Sequence, residues 1–342
     1  MSYNACNYGD DPERARFVQE VISRQRAEAS EAGDALVVAV QELIAEDSAL
    51  GAGRWRRWWP GRRLRSKAGL AAWWLRELGE ATGLRCEFER NRSAVGVGNQ
   101  RYQQGLLWSG EIEPAGGFVV VSGDALWHAY LQLDLDVGAK EPVRHASFHA
   151  RPNGLGQRAD EAEVVLKRVF RPPHRRPTLV GGDWNGVSAD LPGWPPRAAD
   201  PARPWREYDH DPYHFRHGQP GATVEWHPEF VFQCRTWTNP DGSREWEADR
   251  TAGRILRDGG LVDAAAALEV PWAATVGHWP GDDVCGARRI DIVRTTAEVV
   301  PALVSCEAIA TDVAVKASDH LPVVVRYKPS AIVEWPGRRA GG

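Results

Sequence analysis

Short apolar runs alternate with segments of helical periodicity along most of the chain, and this alternation restricts the fold to the α/β class. A continuous apolar run of strand length indicates a strand buried on both faces, whereas apolar residues at i, i+3 and i+4 indicate an amphipathic helix. We predict strands at 34–42, 84–89, 105–109, 117–121, 125–135, 142–149, 177–182, 288–295 and 321–327, and helices at 10–30, 66–82, 159–170 and 247–258.

One long segment lacks this regularity. Residues 190–246 are rich in Pro, Trp, His and Arg, which predicts an irregular insertion or lid rather than a separate domain. We therefore predict a single domain over residues 1–328 that contains this insertion, followed by a flexible tail at 329–342. The His-rich stretch 208–217 lacks cysteines and a helical pattern, so we expect a substrate-facing lid or a surface loop there rather than a zinc site.

Charge and composition exclude several classes of protein. The 42 Lys+Arg and 46 Asp+Glu residues give a net charge of −4, which excludes a histone-like basic protein and an acidic disordered chain. No apolar stretch is long enough to span a membrane, and the amino terminus has no signal-peptide pattern, so we expect a cytoplasmic location. The five scattered cysteines form no CxxC pair, so we expect free thiols. We also expect a monomer.

Polar residues end several of the predicted strands, where the loops of an α/β sheet usually build a site. Each of them alone has an ordinary structural explanation, such as a turn, a helix cap or an ion pair between Asp291 and Arg288 or Arg289. Together they form a set of amides, carboxylates and imidazoles in a fixed order, namely Asn4, Glu42, His149, Asp183, Asn185, Asp291, Asp319 and His320.

This ordered set resembles the motif series of the endonuclease/exonuclease/phosphatase superfamily. The segments that carry the resemblance are Ser2-Tyr3-Asn4, Val40-Gln41-Glu42, Ser147-Phe148-His149, Gly182-Asp183-Trp184-Asn185, Arg289-Ile290-Asp291 and Ser318-Asp319-His320-Leu321-Pro322, which extend over nearly the whole chain. The resemblance implies a four-layer α/β/β/α sandwich of two packed mixed sheets, with a site at one edge of the sandwich. It also implies hydrolysis of phosphoester bonds with a divalent metal, Mg²⁺ or alternatively Mn²⁺.

The resemblance assigns roles to these residues. Glu42 is the expected first metal ligand, with Asn4 and Asp319 helping to hold the metal, partly through water. His320 is the candidate general base, Asp291 orients it, and Asp183 and Asn185 hold the attacking water and the phosphoryl oxygens. Whether Asp183 or His320 accepts the proton stays open at this point. His149 is expected to stabilise the phosphoryl group or the leaving oxygen, and Trp184 is expected to contact the substrate. Four residues are candidates for orienting His149, namely Gln103, Gln104, Glu111 and Glu113.

A basic segment rich in Trp bears on the substrate. Residues 54–67 contain Arg54, Arg56 and Arg57 among seven cationic side chains, interleaved with tryptophans. Such a segment suits a nucleic-acid backbone and its bases, but also an anionic membrane surface, or it is a solvated loop. We therefore expect a nuclease. A phosphatase or a lipid phosphodiesterase of the same fold is the alternative, and a non-catalytic binding module is a further one.

Overall fold

The computed structural model describes residues 1–45, 66–171, 175–196, 206–214, 224–279 and 284–335. Within these residues lie six helices: α1 (Pro12–Glu31), α2 (Lys67–Thr82), α3 (Leu155–Phe170), α4 (Thr251–Asp258), α5 (Ala264–Leu268) and α6 (Asp312–Ala317). The strands are β1 (Ser2–Tyr8), β2 (Val37–Ile44), β3 (Glu87–Phe88), β4 (Arg92–Ser93), β5 (Val95–Gly96), β6 (Tyr102–Trp108), β7 (Glu113–Val121), β8 (Tyr130–Asp136), β9 (Val143–His149), β10 (Thr178–Asp183), β11 (Cys234–Thr238), β12 (Arg244–Ala248), β13 (Leu261–Asp263), β14 (Asp291–Thr296), β15 (Leu303–Ala308) and β16 (Val323–Tyr327).

Two six-stranded mixed sheets form the centre of the described structure. The first has the order β15-β16-β1-β2-β6-β5 and the second the order β13-β14-β10-β9-β8-β7. Apolar side chains of the first sheet pack on α1, α2 and α6, and those of the second pack on α3 and α4. The predicted four-layer α/β/β/α sandwich is therefore confirmed. Among the described residues, no helix combines the length and apolar character needed to cross a membrane.

Local sequence signals set the ends of the first two helices. The Asp11 side chain caps α1 by accepting from the Glu13 and Arg14 backbone N–H groups at 2.9 and 3.3 Å. Ser66 caps α2 in the same way, and Gly83 ends that helix at φ +68°, a conformation that favours glycine. Both helices start and stop within two residues of the sequence prediction.

The two sheets lie close together at Gly181 of β10. A Cβ atom on Gly181 would lie 2.9 Å from Ser2 Cβ in the opposite sheet, so no larger residue fits there without displacing a strand. Gln41 Nε2 donates to Ser147 Oγ at 2.9 Å, and Ser147 Oγ donates back to the Val40 carbonyl at 3.0 Å. These contacts fix β2 of one sheet against β9 of the other just below the predicted site.

The predicted insertion is partly regular and is anchored to the body. Strands β11 and β12 form an antiparallel hairpin, so residues 247–248 are strand and helix α4 begins only at Thr251. Within the described residues 208–214 of the His-rich stretch, Asp209, His210 and Tyr213 are buried, which differs from the surface loop predicted there. Asp209 binds the buried Arg289 guanidinium through both carboxylate oxygens, at 2.8 and 3.1 Å.

The start of the predicted flexible tail contacts the body of the protein. The Val333 N–H donates to the Glu298 carbonyl at 3.1 Å, and the Arg175 guanidinium lies 3.8 Å from the centre of the Trp335 ring. These contacts join residues 329–335 of the predicted tail to the sandwich. Residues 336–342 lie outside the described part of the chain.

Candidate active site at the edge of the sandwich

Three predicted site residues of the second sheet lie in one row. Asp183 is the last residue of β10, where it pairs with His149 of the parallel strand β9 and with Asp291 of the antiparallel strand β14. Side chains of directly paired residues point to the same face of a sheet. All three are almost fully buried, with 1–3% of their surface exposed. The row therefore gathers two carboxylates and an imidazole between the sheets, at the end of the sandwich.

The first sheet contributes Asn4 and Glu42 to the same place. The register of β1 and β2 shifts beyond Asn4, and Glu42 has a φ of +65°, which is unusual for a residue with a side chain. Asn4 Nδ2 donates to Glu42 Oε1 and to Asp183 Oδ2, both at 3.1 Å. Glu42 Oε2 accepts from the Asn7 N–H at 3.1 Å. Asn4 thus links the carboxylates of the two sheets.

The hydrogen bonds of the Asn4 amide fix its orientation. Asn4 Oδ1 accepts from the Cys6 N–H at 3.1 Å. Turning the amide over would place its NH₂ group against that N–H and its oxygen against two carboxylates, so the arrangement is favoured as it stands. Asn4 therefore presents N–H donors, not its oxygen, to the carboxylates of the site.

The loop between α6 and β16 brings His320 to this cluster. Ser318 Oγ donates to the Asn4 carbonyl at 2.8 Å and accepts from the His320 N–H at 3.0 Å. His320 Nδ1 lies 2.9 Å from Asp291 Oδ2, and its Nε2 lies 3.9 Å from Asp183 Oδ2. Asp291 therefore pairs with His320 and not with Arg288 or Arg289, the structural alternative considered above.

The charges of this cluster favour ionised imidazoles in the protein without a metal. Burial alone lowers the pKa of His320, but the negative charges of Asp291 and Asp183 outweigh it and hold that pKa well above 6.5. Burial likewise opposes charge on His149, whose pKa is nevertheless raised by the hydrogen bond to Asp183 and by the charges of Asp183 and Glu42. Burial raises the pKa of Asp183, yet the two histidines bring it below its usual range.

Asn185 and Trp184 follow Asp183 but face in different directions. Asn185 has a φ of +48°, its N–H donates to Asp183 Oδ1 at 2.9 Å, and its Nδ2 donates to the Ala150 carbonyl at 2.9 Å. Asn185 therefore lies beside Asp183 in the candidate site. Trp184 is buried in the core under α3, and its indole N–H donates to the Ile292 carbonyl at 2.9 Å. The prediction that Trp184 contacts substrate is wrong, because the residue after Asp183 faces the helices.

The remaining predicted residues differ in what the structure shows of them. Asp319 is half-buried beside Ser318, whose Oγ lies 3.5 Å from its Oδ1. Burial, together with the negative charge of Asp319, raises the pKa of the Cys6 thiol to about 12. The predicted substrate-binding residues of the basic segment, Arg54, Arg56 and Arg57, lie outside the described residues.

None of the four candidates for orienting His149 is seen to contact it. Gln103 bonds to the backbone of Gly98 and Gln100, and Glu113 is exposed and pairs with Arg85. Glu111 is exposed, and Gln104 is buried without a hydrogen-bond partner among the described residues. Instead, the ring of His128 stacks on His149 with centroids 4.0 Å apart. His128 was missed because no local pattern marks it.

The donor set fits a divalent cation. Single ligand atoms of Asp183, Asp291 and His320 lie within 4.8 Å of one another. Asp291 Oδ1 is buried and has no hydrogen-bond partner among the described residues, so it has lone pairs to offer. Glu42 lies beside this group, with Oε1 4.0 Å from His149 Nε2. Carboxylate oxygens with an adjacent imidazole suit a hard or borderline cation.

Comparison with known proteins identifies the fold. No family model and no curated protein matches the chain by sequence. Among solved structures, it is similar to an AP endonuclease from Archaeoglobus fulgidus at 14% identity and a TM-score of 0.52, over 95% of this chain and 97% of that one. It is also similar to an endonuclease/exonuclease/phosphatase from Bacteroides vulgatus at 12% identity and a TM-score of 0.52, over 96% and 97% of the two chains.

A third similar structure is a mannosyl-6-phosphatase from Bacteroides thetaiotaomicron, at 12% identity and a TM-score of 0.50, over 95% of this chain and 97% of that chain. The protein is thus an α/β/β/α sandwich with an acidic and histidine-containing site at its edge. More specifically, it has the fold of the endonuclease/exonuclease/phosphatase proteins, and the resemblance noted in the sequence is confirmed at the level of the fold.

Proposed function

We propose that this protein is a divalent-metal-dependent hydrolase of phosphoester bonds, and specifically a nuclease. The observation that carries the proposal is the position of His320 between two carboxylates: its Nδ1 is hydrogen-bonded to Asp291, and its Nε2 lies 3.9 Å from Asp183 Oδ2. Asp183 also lies 3.4 Å from His149 Nε2 and is linked to Glu42 through Asn4. A general base, its orienting carboxylate and a charged pocket for an anion are the parts that attack on a phosphodiester requires. The fold agrees, because similar structures include an AP endonuclease and a mannosyl-6-phosphatase.

Each site residue has a separate role in the proposed hydrolysis. His320 Nε2 removes a proton from a water molecule as the water oxygen forms its bond to phosphorus, and Asp291 holds the opposite nitrogen in place. The P–O bond to the leaving group breaks, and His149 donates a proton to the departing oxygen. Between the two candidate bases, we assign His320. Neighbouring carboxylates raise its proton affinity, whereas neighbouring histidines lower that of Asp183.

The metal proposed for this site is Mg²⁺, with Mn²⁺ as an alternative. Glu42, Asp183, Asp291 and Asp319 provide the carboxylates that would hold it, with His320 adjacent to Asp183. When bound, the ion neutralises negative charge on the phosphoryl oxygens. Asn4 and Asn185 hold the carboxylates in place through their N–H groups.

Cationic and aromatic side chains beside the site support a nucleic-acid substrate. The Arg101 guanidinium lies 5.0 Å from the centre of the Tyr102 ring, and that of Arg151 lies 4.1 Å from the Trp127 ring. Tyr102 is half-buried, with its ring centre 6.4 Å from that of His149. Arginine pairs with phosphate, and aromatic rings stack on unpaired bases. The predicted contacts of Arg54, Arg56 and Arg57 with the nucleic-acid backbone belong to the same proposal.

The first test is a substrate panel with and without a chelator. We expect single- or double-stranded DNA or RNA to be cleaved in Mg²⁺, and EDTA to abolish cleavage because the carboxylates then lack their cation. Gel electrophoresis of end-labelled strands measures this. Cleavage of a phosphomonoester or a phospholipid without cleavage of nucleic acid would favour the phosphatase or lipid phosphodiesterase alternative. Absence of hydrolysis of every phosphoester would favour a non-catalytic module.

A second test uses pH. A general base acts when deprotonated, so kcat should rise with pH through the pKa of His320. Asp291→Asn removes a negative charge that raises this pKa, so the acid limb of the kcat profile should move to lower pH while the maximal kcat falls. Profiles of kcat against pH for both proteins at saturating metal measure the shift. A limb that stays in place or moves to higher pH would exclude this role of Asp291.

A further inference from the structure

Within the described part of the chain, His149 lacks a hydrogen bond at Nδ1, the ring nitrogen whose partner usually fixes the orientation of a working imidazole. Its Nε2 faces Asp183 Oδ2 at 3.4 Å and Glu42 Oε1 at 4.0 Å. Its Nδ1 is buried and has no hydrogen-bond partner among the described residues. Hydrogen bonding at Nε2 alone does not fix the plane of the imidazole ring. Packing against the two faces of the His149 ring must therefore set that plane.

His128 supplies that packing. Its ring lies parallel to the His149 ring, with an angle of 11° between the planes and 4.0 Å between the centroids. Tyr102 lies beside both rings, at 5.8 Å from His128 and 6.4 Å from His149. Burial, together with the charge of His149, lowers the pKa of His128 to about 2, so His128 stays neutral and can face a protonated ring without charge repulsion.

The backbone around His128 is itself held firmly. A Cβ atom on Gly98 would lie 2.1 Å from the His128 carbonyl oxygen, so the chain passes here in direct backbone contact. The buried Glu161 of α3 accepts from the Trp127 N–H at 2.6 Å and from the Arg151 N–H at 2.8 Å. The Glu161 carboxylate therefore links Trp127, which precedes His128, to Arg151, which follows His149 by two residues.

We propose that His128 is a positioning residue for His149, acting through this face-to-face stack, and that Glu161 holds the two segments so that the stack forms. The role takes the place of the hydrogen bond that His149 Nδ1 lacks. The expected effect of His128 on kcat rests on the proposed function. Its expected effect on the orientation of the His149 ring does not.

The test compares His128→Phe, which keeps an aromatic ring, with His128→Ala, which removes it. Crystal structures of both variants and of the unaltered protein show the plane of the His149 ring. We expect the ring to stay against Asp183 in His128→Phe and to turn away in His128→Ala. With bis(p-nitrophenyl) phosphate and Mn²⁺, kcat should fall about 10- to 100-fold in His128→Ala, the range typical of residues that orient another functional group. The KM should change little, and His128→Phe should recover most of kcat.

The matched control is His145→Ala, since His145 is also a buried histidine of low pKa but bonds to the Tyr327 hydroxyl at 3.1 Å in another part of β9. We expect its kcat to equal that of the unaltered protein. An equal loss in the control would overturn the proposal, because general loosening would then explain the effect. So would an unmoved His149 ring in His128→Ala, or an equal loss in His128→Phe.

Glu161→Gln gives a second route if His128→Ala does not fold. The amide can accept through only one of its two terminal atoms, so one of the two backbone N–H groups loses its partner. We expect a displaced His149 ring and a lower kcat, and an unchanged ring would overturn the role of Glu161. If the unaltered protein hydrolyses no phosphoester, the proposed function fails, and the crystal structures alone still decide whether His128 positions His149.

Discussion

His320→Ala is expected to lower kcat about 10²- to 10⁴-fold, the usual contribution of a general base. His320 Nε2 is the nitrogen that faces Asp183 and the pocket, whereas Nδ1 is engaged by Asp291 at 2.9 Å. His320→Asn sharpens the test. An asparagine NH₂ can still donate toward Asp291, but the side chain cannot accept a proton from water at neutral pH. Steady-state kinetics on a cleavable nucleic acid, or on bis(p-nitrophenyl) phosphate, should show equal losses in both variants.

The control for this experiment is His227→Ala. His227 caps the short helical turn Pro228–Phe232 in the insertion, and none of its described contacts involves the site. Its kcat should match that of the unaltered protein, and circular dichroism should show that all three variants are folded. A His320→Asn enzyme that retains most of its kcat would exclude His320 as the base and would move that role to Asp183.

Much of the site is predictable because its residues end strands that the sequence marks clearly. Asp183 and His320 stand at the borders of apolar runs, and the order of such residues along the chain carried the resemblance. The pairing of strands is a different matter. The apolar pattern of β10 does not predict that its neighbours are β9 and β14. That pairing is what places His149 and Asp291 on either side of Asp183.

Other features depend on contacts between distant segments, and local patterns do not report them. His128 lies in a short irregular segment just before β8. Its ring contacts His149 because β8 pairs with β9, and no local sequence pattern reports that pairing. The burial of Trp184, in contrast, could have been predicted from a local pattern. Strand alternation places the residue after Asp183 on the opposite face, so the sequence already contained the information that its side chain lies under the helices.

The buried ion pairs of Arg289 should stabilise the attachment of the insertion to the body, because Asp209 belongs to the insertion. Its guanidinium lies between Asp209, at 2.8 and 3.1 Å, and Asp263, at 3.2 and 2.5 Å. All three side chains are at least 94% buried. Arg289→Met would leave two buried carboxylates without their cation, and such a change typically costs about 3–5 kcal/mol. Urea denaturation should show this loss in the free energy of unfolding.

The control and the pH dependence separate the ion pairs from loss of packing. Arg235→Met breaks an exposed pair with Glu247 and should cost no more than about 1 kcal/mol.

In the unaltered protein Arg289 opposes the effect of burial and lowers the pKa of Asp263, so this carboxylate stabilises the fold above its unfolded pKa. Without Arg289, burial raises that pKa, and the charged form then destabilises the fold as pH rises. The loss in Arg289→Met should therefore be largest at neutral pH and shrink toward pH of about 4, near the unfolded pKa of Asp. A loss independent of pH would mean that packing, rather than charge, is the cause.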